Sequence, residues 1–443
     1  IKGCKDDKAW LIRLTTFSTF TKENPNWLSS LGPEHLIGKS DDLSSCPPLA
    51  QFLGWLIASH HRLPFYDVNY RGRKKRISHR ESQWYQGDNI TELYKDLLPA
   101  EHWVKNPKSA EDLETKGQLY KQFWSFPAMA MDSNRWQSEL SRWCKKALSQ
   151  PSLFTLAQAQ DTATESKSIA DPFIMHLARL CLMIGDHNFS SRSAEESQQV
   201  KGDQNFIDRL AANTDRKSGD KKQALDQHLI GVARMTARFS RLLPRLKEEL
   251  PHLGRQPAFF RPTSNARFKW QDRAYNLSKG IAKDSREHGF FGINMASTGR
   301  GKTLANARIA YALSSDTQTA RFTIALGLRI LTLQTGDALR QRMGLSQEEI
   351  AILVGGKAQR TLYEHKDPTR LEDCGSESLK EWIQESVHTE ATEHLNHELG
   401  TVVENPKAKE LLFTPIVSCT IDHLISASES QRGGRHIAPL LRL

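Results

Sequence analysis

The stretch Ala296-Ser297-Thr298-Gly299-Arg300-Gly301-Lys302-Thr303 lies between an apolar run at 290–295 and a helix-like segment at 304–313. Loops of this composition bind phosphate for physical reasons. Glycines let backbone N–H groups close on an anion, and the N-terminus of the following helix adds the positive end of its dipole. A lysine neutralises phosphate oxygens, and a hydroxyl ligates Mg²⁺. Thr298, Gly299, Gly301, Lys302 and Thr303 are the expected contacts, with the apolar run as the strand that delivers them. The first position is Ala296, where glycine is usual. Downstream, Phe322–Leu326 and the alternating run at 328–333 read as further short segments of the same kind. Strands alternating with helices predict a parallel α/β sheet.

About 30 residues before the loop, Phe268-Lys269-Trp270-Gln271-Asp272-Arg273 sets a glutamine beside an aromatic ring. A glutamine pairs with the N6/N7 edge of adenine and a nearby ring stacks on it, so Gln271 is the adenine candidate and ATP with Mg²⁺ the expected ligand. A surface Trp-Gln pair is the plain alternative. Further out, the segment 256–263 has little periodicity and marks an expected domain boundary near residue 255. Before it the chain reads as helical. Within that half, the polar stretch 201–223 reads as an exposed loop, and 225–250 as a basic amphipathic helix pair broken at Pro244. Arg234, Arg238, Arg241, Arg245 and Lys247 fit a solvated face of that pair.

Composition bounds the rest. The chain has 443 residues, 61 Lys+Arg against 51 Asp+Glu, and a net charge of +10, enough for two or three domains with a moderate basic excess. No apolar stretch approaches the roughly 18 to 20 residues of a membrane helix, so no membrane-spanning protein is expected. Six cysteines, the closest being Cys144 and Cys181, form neither a disulfide framework nor a CxxC zinc pattern. A reducing, cytoplasmic setting follows. A start at Ile1 and an end on the apolar run 437–443 predict an interior fragment of a longer protein.

In the segment 49–63, Leu53, Leu56, Ile57, His60 and His61 fall on one broad helix face expected to point toward a core. Paired histidines there either form hydrogen bonds within the core or ligate a transition metal. Asp186 closes an apolar helix at 173–184 and is either a cap in water or a paired, metal-bound carboxylate. Two helices that each present such a group suit a metal site in a helical bundle. Between them, Arg71, Arg73, Lys74, Lys75 and Arg76 follow Phe65, Tyr66 and Tyr70, a loop that suits a nucleic-acid backbone or plain solvated surface.

Together these residues resemble the CRISPR-associated helicase–nucleases of type I systems, and most closely the type I-F form with a fused integrase-associated subunit. The resemblance spans essentially the whole chain. It implies a multidomain protein with an all-α HD-type nuclease domain over 1–255, lacking its N-terminal part. An α/β RecA-like (P-loop) helicase domain over 256–443 follows, ending before motif II. It further implies that His60, His61 and Asp186 are catalytic and hold a pair of divalent transition metals such as Fe, Mn, Co or Ni. On the same ground, Arg329, Thr332 and Gln334 in motif Ia and Thr420 in a later motif contact DNA; buried strand plus turn is the plain alternative for both motifs. The implied activity is ATP-driven translocation on the displaced single strand of DNA coupled to its cleavage in type I-F interference. The implied partners are an RNA-guided surveillance complex, the CRISPR integrase and phage anti-CRISPR proteins.

The sequence departs from the family in lacking a His-Asp dipeptide and the Asp-Glu of helicase motif II. Two other readings stay open at this point. One is an HD-type nucleotide phosphohydrolase with the P-loop domain as sensor, and the other a non-catalytic docking module.

Overall fold

Helices in the first half begin where the sequence supplies a cap. Asp6 accepts from Ala9 N at the start of α1 (Asp7–Thr15), while α2 (Pro48–Ser59) opens on its proline. Strands β1 (Phe65–Tyr70) and β2 (Arg73–Ser78) follow. Ser133 accepts from Trp136 N at the start of α3 (Asn134–Leu148), and α4 spans Pro151–Gln158. Asp171 accepts from Phe173 N and Ile174 N, with Pro172 at the first position of α5 (Pro172–Ser191). Then come β3 (Ala211–Thr214), β4 (Lys221–Ala224) and α6 (Leu225–Leu242).

This computed structural model describes residues 4–17, 46–60, 65–70, 73–78, 128–159, 168–169, 171–206, 210–215, 218–314, 319–354, 395, 399, 406–429 and 433–442. They fall into two compact units, 1–241 with 431–434, and 242–430 with 435–443.

In the first unit Trp10, Leu11, Leu49, Phe52, Trp55, Leu56 and Met175 form one apolar cluster. Buried Asp7 ties α1 to α2 by accepting from Trp10 Nε1 at 2.8 Å and from Leu49 N at 3.0 Å. Where α5 meets α6, small residues set the spacing. A Cβ on Gly185 would lie 2.7 Å from Thr236 N, and one on Gly231 2.2 Å from the Phe189 ring. The helices therefore touch backbone to side chain. Glu139 on α3 accepts from Arg234 of α6 at 2.8 Å and from Arg142. Burial opposes its charge, but those two arginines outweigh it and hold its carboxyl below the usual range.

Several expectations need correction here. The first domain, expected to be all-α, contains two antiparallel hairpins among its described residues. In one, the ladder runs from Phe65↔Ser78 to Tyr70↔Arg73, so Arg73, Lys74, Lys75 and Arg76 lie on a strand where a loop was expected. In the other, β3 pairs β4 within the supposed exposed loop 201–223. Its polar strands lack the alternation that marks a half-buried sheet, and they hold together by side-chain bonds such as Asn213 Nδ2 to Gln223 Oε1 at 2.9 Å. On α2 the buried side is Leu49, Phe52, Trp55, Leu56 and Ser59, whereas Leu53 is 39% and Ile57 67% exposed. His60 is half-buried, on the margin of the core face. Helix α5 runs past Asp186 to Ser191, so this carboxylate is a buried mid-helix residue and no cap in water.

The second unit contains α7 (Lys269–Gly280), α8 (Lys302–Ser314), β5 (Phe322–Leu326), α9 (Arg329–Met343) and β6 (Ile350–Leu353). After these come α10 (Pro406–Phe413), β7 (Ile416–Thr420) and α11 (Asp422–Glu429). The strands form a parallel sheet in the order β5-β7-β6, with Leu326 opposite Thr420. Ala307 and Tyr311 of α8 pack with Leu339 and Met343 of α9 against Ile350 and Ile416. Arg442 donates to Thr323 Oγ1, Phe322 O, Thr414 O and Pro415 O at 2.6 to 2.8 Å, fastening the starts of β5 and β7.

Two apolar runs differ from their reading. Residues 290–295 form no strand, and Phe291 and Met295 are 89% and 90% exposed. An apolar run becomes a strand only when its backbone finds a ladder, and among the described residues this one pairs with none. The run 328–333 instead enters helix α9, whose buried Thr332, Thr335, Leu339 and Met343 follow a helical period that a six-residue window conceals.

Two measurements check this packing. Gly185→Ala is expected to lower unfolding stability by about 1–3 kcal/mol in urea titration, the range for overpacking a tight contact. Burial pushes the Cys144, Cys181 and Cys419 thiols up to about 11 each, so little of the reactive thiolate exists at pH 8. In native protein, iodoacetamide is expected to label half-buried Cys4 and Cys46 well before those three, by peptide mass spectrometry.

Candidate functional site

The phosphate loop of the second unit has the backbone its sequence demands. Gly299 and Gly301 both adopt φ of +76°, a left-handed conformation that glycine takes without strain. The loop is closed by Arg300 N to Ser297 O at 3.3 Å and Ala296 N to Asn294 Oδ1 at 3.1 Å. Lys302 is the first residue of α8 and Thr303 the second, so both stand at the positive end of a 13-residue helix. Thr298 occupies the exposed turn between them and Ala296. Glycine freedom, a helix N-terminus, a lysine and a hydroxyl therefore coincide, and the group fits a polyphosphate with Mg²⁺.

The loop is held from one side by α7 and the short turn at Ala266–Phe268 before it. Trp270 Nε1 donates to Arg300 O at 3.2 Å, Arg267 to Gly299 O at 3.0 Å, and Gln271 Nε2 to Gly301 O at 3.2 Å and Arg300 O at 3.4 Å. Gln271, expected on adenine, is buried and spends its amide N–H on the loop. Its neighbour Asp272 pairs with buried Arg308 of α8 at 2.8 Å. That guanidinium also donates to Phe259 O and Arg261 O, so one residue fixes α7 to the helix carrying Lys302.

The first unit gathers a second polar cluster. Asp186 Oδ1 on α5 lies 3.4 Å from His228 Nε2 on α6 and 3.5 Å from Ser190 Oγ one turn on. Nδ1 of His228 faces Gln223 Oε1 at 2.9 Å. His60 terminates α2, its Nδ1 2.6 Å from Ile57 O. The same end of α2 is bound by buried Arg179, whose Nε donates to Ser59 O at 2.9 Å. Asp186 lies about 10 Å further along α5 at 1.5 Å per residue. His61 lies outside the described residues. Among those described, no three His, Cys, Asp or Glu side chains gather as a metal-holding group. One carboxylate and one imidazole do, and that donor chemistry fits a divalent transition metal as two of its ligands.

The remaining expected contacts are dispersed. Arg71 lies outside the described residues, whereas Arg73, Lys74, Lys75 and Arg76 belong to β2. Arg329 and Gln334 are exposed on α9. Thr332 is buried, its hydroxyl donating to Leu328 O at 3.0 Å while its carbonyl accepts from Ser418 Oγ at 3.1 Å, so it joins helix to sheet. Thr420 ends β7 with its hydroxyl buried and, among the described residues, without a hydrogen-bond partner. Sequence reasoning missed His228, Gln223 and Asn213. Only Ser190, four residues after Asp186, was visible at helical spacing; His228 is 42 positions away, and no local pattern reports such a pair.

No family model matches the chain. It is similar to two curated proteins, both named CRISPR-associated nuclease/helicase Cas3 subtype I-F/YPEST. The protein of Pseudomonas aeruginosa is 41% identical over 99% of this chain and 37% of its own length. That of Pectobacterium atrosepticum is 38% identical over 100% of this chain and 38% of its own length. The chain thus spans little more than a third of each relative.

Gly301→Ala would force a methyl group to 2.6 Å from Gln271 Nε2 at a left-handed position. Affinity for Mg²⁺–ATP, measured by calorimetry, is expected to fall by about tenfold or more, one such clash being worth at least ~1.4 kcal/mol.

Proposed function

We infer that this chain, akin along its whole length to the subtype I-F/YPEST nuclease/helicases, forms the nuclease portion and the first motor portion of such a protein. The observation that carries this reading is that the similarity covers both the helix bearing Asp186 and the phosphate loop. In this reading residues 1–255 are an HD-type nuclease domain and 256–443 a RecA-like helicase domain. The activity is ATP-dependent translocation on single-stranded DNA coupled to its cleavage in type I-F interference.

Each site has a definite part. Gly299 and Gly301 open the loop backbone to the phosphates, Lys302 neutralises their charge and Thr303 offers its hydroxyl to Mg²⁺. Trp270 and Gln271 on α7, with Arg267 just before it, hold that loop in shape. On the nuclease side, His60, His61 and Asp186 hold divalent transition metals of the Fe, Mn, Co or Ni kind. A bound metal supplies a water acidified enough to attack a phosphodiester, together with charge that stabilises the transition state. The run Arg71, Arg73, Lys74, Lys75 and Arg76, most of it on β2, is the contact for a DNA backbone. Arg329 and Gln334, both exposed on α9, are the motor domain's strand contacts. The partners are the displaced strand and the RNA-guided complex that exposes it, with the CRISPR integrase and phage anti-CRISPR proteins as further ones, in the cytoplasm. No described helix is long and apolar enough to cross a membrane.

Separation of function tests this in the full-length protein. Asp186→Asn is expected to reduce metal-dependent cleavage of single-stranded DNA by about 100-fold or more while DNA-stimulated ATP hydrolysis persists. Lys302→Ala is expected to do the reverse on a short single strand. Unchanged cleavage by Asp186→Asn, with ATP hydrolysis intact, would overturn the nuclease assignment.

A further inference from the structure

We propose that one face of the β1–β2 hairpin, on which Tyr66 and Tyr70 share a side with Arg73 and Lys75, stacks the bases of single-stranded DNA and so selects that form of DNA for the nuclease. The proposal rests on the reading of the basic run as a DNA contact given above, and adds to it the bases and the choice of strand form.

The register decides which residues share a face. The ladder sets Tyr66 opposite Ile77, Val68 opposite Lys75 and Tyr70 opposite Arg73, and the period of two places all six on one face. The other face holds Phe65 with Ser78, Asp67 with Arg76, and Asn69 with Lys74. The basic run is thereby divided. Arg76 stands opposite a carboxylate, a cross-strand pairing that offsets its charge. Arg73 and Lys75 share their face with two tyrosines, a valine and an isoleucine, and with no acidic residue.

That composition suits neither a core nor water. Burying the face in an apolar core would strip water from two cations with no carboxylate on the face to pair them. Left to solvent, it would set aromatic and branched apolar residues side by side on one surface. A ligand that is flat and apolar in one part and anionic in the next satisfies both halves. Single-stranded nucleic acid has that chemistry, since its bases stack on rings while its backbone takes the cations. A duplex keeps its bases stacked on one another and offers such a face only phosphates. Tyr66 and Tyr70 lie four residues apart on one strand, about 13 Å, so they meet different bases of the same strand.

Placement supports the same use. Helix α2 ends at Ser59 with His60 as its cap, and Phe65 opens β1 five residues beyond His60, within about 18 Å even at full extension. Among the described elements the two strands pack chiefly against each other, while α2 packs against α1, α4 and α5. The hairpin thus leaves from the end of the helix that carries His60 without joining the main packing of that helix.

The test uses full-length protein without ATP and follows Mn²⁺-dependent cleavage of a short oligodeoxythymidylate. Tyr66→Leu with Tyr70→Leu keeps apolar bulk but removes the rings, and is expected to raise KM by about 10- to 100-fold with a smaller change in kcat. Tyr66→Phe with Tyr70→Phe restores the rings and is expected to bring KM back toward the wild-type value. In wild-type protein, irradiation with an iododeoxyuridine-substituted strand is expected to cross-link the peptide holding Tyr66 and Tyr70, mapped by mass spectrometry, a readout that needs no variant to fold. An unchanged KM in the leucine variant, or an equal rise in the leucine and phenylalanine variants, would overturn stacking. Cross-links found only elsewhere in the chain would overturn it too and leave the face to an anionic protein surface. Arg73→Ala with Lys75→Ala separates the proposal from its premise. If that variant raises KM and flattens its salt dependence while the leucine variant does neither, stacking alone fails; if neither variant changes KM, the reading of the basic run as a DNA contact fails with it.

Discussion

The close approach of α5 and α6 at Gly185 and Gly231 is the constraint on which the first unit depends. With a Cβ at either position the helices would have to separate, because the opposing atoms are Thr236 backbone and a buried Phe189 ring that cannot move aside. Their separation sets the distance from Asp186 to His228. The start of α6 is fastened separately, by side chains. Asp226 accepts from Ser133 Oγ and Asp203 N, both at 2.7 Å, and Gln227 donates to Ser197 O and Val200 O. Burying a carboxylate is costly unless donors replace its water, and here the segments leading to α3 and β3 provide them.

The second unit uses the same physics with the opposite charge. Buried Arg308 and Arg442 each spend several N–H groups on backbone carbonyls that the secondary structure leaves open, and each thereby ties together distant pieces of chain. Arg308 is the more consequential for chemistry. Through Asp272 it positions α7, and α7 places Trp270 and Gln271 on the carbonyls of the phosphate loop. The loop's shape is thus supported by a pair whose arginine lies about two helical turns beyond the glycines that make it possible.

Legibility followed the range of the interaction. The phosphate loop was readable because its glycines, lysine and hydroxyl act through local backbone geometry within eight residues. Helices α2, α5 and α6 were readable from apolar spacing, although the turn of α2 that faces the core was misjudged by one position. The polar hairpins were not readable. Strand β2 is a basic run and β4 is mostly polar, so neither shows the apolar alternation that marks a strand, and the β3–β4 pair adds a cross-strand amide bond from Asn213 to Gln223. Residues 290–295 show the converse error, for an apolar composition does not by itself supply a ladder partner.

Composition and spacing alone determined that this chain carries a phosphate loop at the head of a helix, an aspartate directly after an apolar helical run, and a change of character between its halves. These are properties of neighbouring residues and survive without knowledge of the fold. Only the tertiary structure decided that Asp186 is buried against His228, that Gln271 turns to the loop, and that Thr332 locks a helix to a sheet. Each of those follows from helices and strands brought together across tens of residues, where packing against a distant partner outweighs any local preference.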